Sequence, residues 1–265
     1  MEDFGLLKAA TEAGGALAMR YFRRNPSSWA KAGGSPVTEA DMAVDALLRD
    51  RLLGARPAYG WLSEETTDDP VRRTRDLVFV VDPIDGTKGF IAGDDTWCVS
   101  AALVRGGRPV AAALYAPARG EFFSALAGGG AWLGDARLSV SARSEPAGAR
   151  LSGPRGWMRT EAVARIGADL GEHVPSLAYR FALVAAERLD AAFTSPRSHD
   201  WDLAACDLLV HEAGGRLADL DGEAPRYNRE SLRHGALAAT NEALMPGLLA
   251  TMKEAAAEVA RGKRT

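Results

Sequence analysis

An apolar run, Leu77 to Val81, stops at Asp82-Pro83-Ile84-Asp85-Gly86-Thr87, and this junction restricts the possible folds more than any other stretch of the chain. Five apolar residues in a row, three of them valine, read as a buried strand. Pro83 has no N–H to offer a ladder, so pairing ends there. Asp82 and Asp85, three residues apart on the turn that follows, can converge on one point. Gly86 and Thr87 then open a helix whose free backbone N–H groups suit a phosphate. Carboxylates and a phosphate repel one another unless a hard cation separates them. Mg2+ suits that position, because it takes oxygen ligands and bridges carboxylates to substrate phosphates. Taken alone, the run fits an ordinary turn equally well, since Asp-Pro and Asp-Gly are common turn formers.

The rest of the chain narrows the choice. At 265 residues and 47% hydrophobic content it can bury a full core, as one large domain or two closely packed subdomains. A net charge of −3 gives no electrostatic case for a nucleic-acid partner. The start, Met1-Glu2-Asp3, lacks the pattern of a signal peptide, and no apolar run approaches the roughly 20 residues of a membrane span. Cys98 and Cys206 lie far apart in apolar segments and read as buried thiols of a reducing compartment. A cytoplasmic protein without nucleic-acid or membrane partners is expected.

In chain order, residues 2–24 read as an amphipathic helix weakened by Gly14-Gly15, and residues 27–37 as a loop. Thr38 is a candidate N-cap for a second helix, and Asp41 there can simply favour the helix dipole. Tyr59–Ser63 is a short strand that delivers Glu64-Glu65, adjacent acids before a polar loop. Residues 96–140 read as an antiparallel meander that opens with a hairpin around Arg105-Gly106-Gly107-Arg108. Gly128-Gly129-Gly130 lacks the context of a dinucleotide fold and takes no cofactor role. The pattern changes near Pro146. Residues 1–146 are expected to form an α+β subdomain with most of the metal ligands, and residues 147–265 an α/β subdomain that completes a cleft. In that second half Leu151–Gly153, Ala191–Thr194, Arg216–Leu220 and Ala236–Ala239 read as strands. Met158–Leu170, Tyr179–Leu189, Leu203–Ala213 and residues 242–261 read as helices, the third closed by Gly214-Gly215. Asp202 alone would be an N-cap. Beside Glu64, Asp82 and Asp85 it adds a fourth acid from the second half.

Glu64-Glu65, the run Asp82-Pro83-Ile84-Asp85-Gly86-Thr87, and Trp201-Asp202-Leu203-Ala204-Ala205 through Glu212-Ala213-Gly214-Gly215 together resemble the signature set of the inositol monophosphatase superfamily. The resemblance covers nearly the whole chain. It implies an α/β fold, a layered αβαβα sandwich of the sugar-phosphatase type, and a Mg2+-dependent, typically lithium-sensitive phosphomonoesterase. It further implies metal binding by Glu64, Asp82, the Ile84 carbonyl, Asp85 and Asp202, with about two or three Mg2+ ions per site. Gly86 and Thr87 would hold the phosphate through their N–H groups. Thr87, hydrogen-bonded to Asp41, would help orient and activate the attacking water; Glu65 is a weaker candidate ligand. A homodimer is common in the superfamily. Activity should fail at low pH as the ligands protonate near their reference values of about 4.

Lys88-Gly89-Phe90-Ile91 after Thr87 resembles the 3'(2'),5'-bisphosphate nucleotidase branch, which converts 3'-phosphoadenosine 5'-phosphate to AMP and phosphate. Ser195 stands seven residues before Asp202, where animal-type inositol phosphatases carry an acid that reads ring hydroxyls. The expected substrate is therefore the bisphosphate, with Lys88 and Arg197 as candidates for a second phosphate and His199 and Asp200 as pocket residues beside Asp202. The alternatives are an inositol 1-phosphate, sugar-phosphate or histidinol-phosphate phosphatase and, more remotely, a non-catalytic metal-binding scaffold.

Overall fold

The computed structural model describes residues 1–31, 33–171 and 173–262. Alternation along the strand Leu77–Asp85 sets the architecture. Leu77, Phe79 and Val81 enter one core, and Val78 and Val80 enter another. Both faces are covered, which is why the strand is apolar throughout. The next strand, Cys98–Arg105, divides in the same way: Val99, Ala101 and Leu103 face the first core, Cys98, Ala102 and Val104 the second.

These strands belong to a seven-stranded sheet in the order Gly60–Ser63, Leu77–Asp85, Cys98–Arg105, Arg108–Ala116, Glu121–Leu126, Gly130–Leu133, Ala136–Arg137. The first pair is parallel and the others are antiparallel. A five-stranded sheet follows, in the order Asp169–Leu170, Arg150–Ser152, Ala191–Thr194, Leu237–Thr240, Arg216–Asp219. Helices Glu2–Ala18 and Glu39–Ala55 cover the outer face of the first sheet. Helices Leu177–Ala185 and Asp200–Glu212 lie between the sheets, and Met245–Gly262 covers the outer face of the second. The result is the αβαβα sandwich expected from the sequence.

The glycine pair does not break the first helix, because the helix packs too closely for side chains there. A Cβ at Gly15 would overlap the Tyr115 ring, and one at Gly14 would lie 3.3 Å from Val44 and Leu48. The helix ends at Ala18, short of Asn25, in turns that carry left-handed residues at Arg23 and Asn25. Residues 27–37 are not simply a loop: Ser28–Ala30 pairs antiparallel with Pro36–Thr38. Residue 32 lies outside the described residues. Nor is Met158–Leu170 one helix. Thr160 caps a separate short helix, Glu161–Arg165, and Gly167 at φ 60° turns the chain into the strand Asp169–Leu170. Both cysteines are free and buried.

The second sheet is stapled by Asp190, just before the strand Ala191–Thr194. Its carboxylate accepts from the Arg150 N–H (2.8 Å), from Arg150 Nε (3.1 Å) and from Arg150 Nη2 (2.9 Å). Burial works to raise its pKa, but hydrogen bonds from Arg150 and Ser141 outweigh burial and hold it well below the usual carboxylate range. Its contribution to stability is therefore complete above the ordinary value of 3.8 and is lost as pH falls below it. Asp190→Ala should cost about 1–3 kcal/mol at neutral pH, since the guanidinium left behind is two-fifths exposed and regains water. Thermal unfolding of both proteins across pH checks this: the gap in Tm should be constant above about pH 5 and narrow below pH 3.8.

Candidate active site

Parallel pairing brings the first two acids together. Ser63 lies opposite Val81, and the Glu64 N–H donates to the Val81 carbonyl at 3.3 Å. Glu64 and Asp82 therefore leave the same sheet edge side by side. Pairing with the next strand shifts register between Asp82 and Asp85, where Pro83 interrupts it. Gly86 then takes φ 94°, a conformation that strains other residues, and starts the helix Thr87–Ala92. Asp202 arrives from the middle layer, in the first turn of Asp200–Glu212, with its Oδ2 accepting from the His199 N–H at 2.6 Å.

Glu64, Asp82 and Asp202 each place an oxygen within 4.8 Å of the others. Asp85 lines the same cleft, but it stands outside that trio. Its Oδ2 accepts from the Ser176 hydroxyl and from the Ala178 N–H (2.6 Å). Asp41 is buried at the third position of its helix, where its Oδ2 accepts from the Thr38 N–H (2.8 Å) and hydroxyl (2.5 Å). That is the capping role a helix start predicts. Its other oxygen lies 3.2 Å from Thr87 Oγ1, whose hydroxyl also lies 3.0 Å from the Ile84 carbonyl. The cleft over these groups measures ≈ 490 Å3, and Ile84, Gly86, Thr87 and Lys88 line it with the acids.

Burial, reinforced by neighbouring carboxylates, pushes Asp82 and Asp202 well above the ordinary carboxyl range. Burial raises Asp85 to about 6, against hydrogen bonds from Ser176 and Ala178. Burial likewise raises Glu65 to about 7 and moves Asp41 upward. In the cation-free site the pKa values of Asp82, Asp85 and Asp202 thus lie above their ordinary value of 3.8. These donors fit a magnesium ion: all are oxygens, Asp82 and Asp85 are buried, and a divalent cation favours the ionised form that burial and repulsion disfavour.

Sequence reading missed several residues here. Lys31, beside the strand Ser28–Ala30, reaches Glu64 and Glu65, each at 2.7 Å, so Glu65 is committed to an ion pair. Arg155 and His173 line the same cleft as the acids. Ser176 and Arg180 come from the helix that the sequence places at Tyr179–Leu189 and that runs from Leu177 to Ala185. The one available signal was a charged residue, Arg180, inside an otherwise apolar helix. Other expectations are corrected. Asp200 is fully buried, and it accepts from the Asn228 N–H (2.6 Å) and meets His234 Nε2 at 2.8 Å. His199 stacks on Trp201 at 4.7 Å. Neither of these residues nor Arg197 is among the residues that line the cleft.

A family model described as the inositol monophosphatase family matches residues 3–257. The chain belongs to the inositol monophosphatase family. An inositol-1-monophosphatase of Mesorhizobium japonicum is 32% identical over 264 residues, covering 94% of this chain and 95% of that protein. A histidinol-phosphatase of Mycobacterium tuberculosis is 38% identical over 207 residues, covering 72% and 76%. Among solved structures, the extragenic suppressor protein SuhB of Bartonella henselae superposes with a TM-score of 0.83 at 28% identity, covering 94% and 97%. Like the rest of its family, the chain is a Mg2+-dependent phosphomonoesterase. No helix among the described residues is long and apolar enough to cross a membrane.

The raised carboxyls make stability depend on pH and Mg2+ together. Folded Asp85 binds its proton up to about pH 6, against 3.8 for the ordinary group, so the cation-free protein loses stability as pH rises through that window. Magnesium binding favours the ionised form and offsets the loss. The difference in Tm between Mg2+ and EDTA samples should therefore widen from pH 5 to pH 7.5, as scanning calorimetry would show. An equal difference at both pH values would contradict the electrostatic account of the cluster.

Proposed function

We propose that this phosphatase hydrolyses a small monoester that carries a second anionic group, with the 3'(2'),5'-bisphosphate nucleotide 3'-phosphoadenosine 5'-phosphate as the best match. In this reading Glu64, Asp82, the Ile84 carbonyl, Asp85 and Asp202 hold Mg2+. Held by these residues, Mg2+ would supply activation of a water and neutralisation of phosphoryl charge. The N–H groups of Gly86 and Thr87 hold the phosphate at the helix start, and the Thr87 hydroxyl, backed by Asp41, orients the attacking water. The transition state spreads its charge over the phosphoryl oxygens, so positioning by these groups carries much of the rate enhancement.

The observation that carries the substrate assignment is the basic lining of the cleft, Lys88, Arg155 and His173. Arg180 does not line the cleft; it is only 7% exposed, has no ion-pair partner among the described residues, and keeps a buried Nε–H without an acceptor. Burial pulls its pKa down to about 10, while Asp85 works to raise it. Burial, then the charges of Arg155 and Arg180, depress the pKa of His173, which lines the cleft. Lys88, Arg155 and His173 give the cleft a basic character, and Arg180, buried outside that lining, adds to the positive potential at His173. A bisphosphate supplies a second anion to this lining, whereas inositol 1-phosphate offers hydroxyls and histidinol phosphate an ammonium. The names of the Mesorhizobium and Mycobacterium relatives favour those two esters as the second reading.

Phosphate release with Mg2+ from the three esters tests the proposal. The bisphosphate should show a kcat/KM at least about tenfold above the others, and a preference for the inositol ester would overturn it. Arg155→Met separates substrate binding from folding. It should raise KM for the bisphosphate about tenfold, leave KM for inositol 1-phosphate unchanged, and leave Tm nearly unchanged, since Arg155 is exposed.

A further inference from the structure

The hydroxyl of Ser176 is fully buried between the two halves of the chain. It donates to Asp85 Oδ2, accepts from the Tyr179 N–H at 3.0 Å, and meets Cys98 Sγ at 3.4 Å. The Ala178 N–H donates to the same Asp85 oxygen at 2.6 Å. Two donors from one helix start, 91 and 93 residues away in sequence, thus hold one oxygen of a cleft-lining carboxylate and, among the described residues, leave Oδ1 without a protein donor. The chain around Asp85 is built for this approach. Gly86 sits at φ 94°, and a Cβ there would lie 3.1 Å from Ser176 Cβ. Ser176 is therefore more than the N-cap of Leu177–Ala185, a role that needs only its contact to Tyr179.

From this geometry we infer that Ser176 is a positioning residue for the cation site, which fixes the orientation of Asp85 so that Oδ1 faces the metal. The inference rests on Asp85 being a Mg2+ ligand, as proposed above. Hydrogen bonds that orient a ligating carboxylate commonly contribute about 10–100-fold to metal affinity. Ser176 works in the binding of the ion and does not touch the reacting atoms. Its loss should appear first as weaker metal binding, and in turnover as a higher Mg2+ requirement with kcat recovered at saturating Mg2+.

Ser176→Gly is the informative variant, because glycine serves as an N-cap nearly as well as serine while lacking the hydroxyl. Ser176→Ala is the second variant should the glycine prove too flexible. Binding of Mn2+, followed by electron paramagnetic resonance, and of Mg2+, followed by calorimetry, would be measured beside Asp85→Asn. The expected result is a Kd about tenfold weaker in the Ser176 variants, with the Tm of the EDTA-treated protein within a few degrees of wild type. Unchanged Kd values in the folded Ser176 variants, with binding weakened by Asp85→Asn, would overturn the inference alone. Unchanged binding in all three variants would overturn the assignment of Asp85 as a ligand as well. A fall in Tm and kcat with unchanged Kd would show a purely structural serine and also overturn the inference.

Discussion

Repulsion among buried carboxylates at one sheet edge is the constraint on which this structure depends. Glu64 and Asp82 leave parallel neighbouring strands at the same edge, and Asp202 reaches them from the middle layer to within 4.8 Å. In water such neighbours would cost each other little, but at low effective dielectric the same separations are worth several-fold more. The fold buries Asp82 and Asp85 and leaves Glu64 and Asp202 only partly exposed, and the upward shifts of Asp82, Asp85 and Asp202 record the consequence. A divalent ion with oxygen-only preference resolves the strain without altering the backbone. The surrounding layers hold the edge still: Phe79 and Val81 lock the strand from one core, Val78 and Val80 from the other.

Much of this was legible in the sequence because its signals are local. The strand that ends in Asp82, the Thr38 cap with Asp41 three residues on, and the acid that opens Asp200–Glu212 each need only a few consecutive residues to be recognised. Gly14-Gly15 was read as weakness because propensity describes an isolated helix, whereas here the pair lets the helix approach Tyr115. The helix expected over Met158–Leu170 failed for the converse reason: its apolar spacing is compatible with a helix, but Thr160 and Gly167 divide it.

What the sequence could not disclose are partners that meet only in three dimensions. Ser176 meets Asp85 across 91 residues. Arg180 carries no local sign of whether it pairs, and its isolation becomes visible only when the helix is packed between two sheets. Asp200 misled in the other direction. Adjacency to Asp202 along the chain suggested the pocket, but residues two apart in the first turn of a helix point to different sides, and Asp200 turns inward to His234.

Lys31 shows how closely the hairpin and the acids are bound together. Its ammonium sits 2.7 Å from both Glu64 and Glu65. Burial alone would depress its pKa, yet attraction to Glu64, with hydrogen bonds to both acids, raises it, so it remains charged. It is a single positive charge beside a cluster of carboxylates, too little to neutralise Glu64, Glu65, Asp82 and Asp202 together. Asp82 and Asp202 stay strongly shifted despite it. The lysine neutralises the outer acids Glu64 and Glu65 in part and only weakly compensates Asp202, further in. That division of labour explains why one edge of the site is closed by the protein's own cation while the centre keeps its demand for a divalent one.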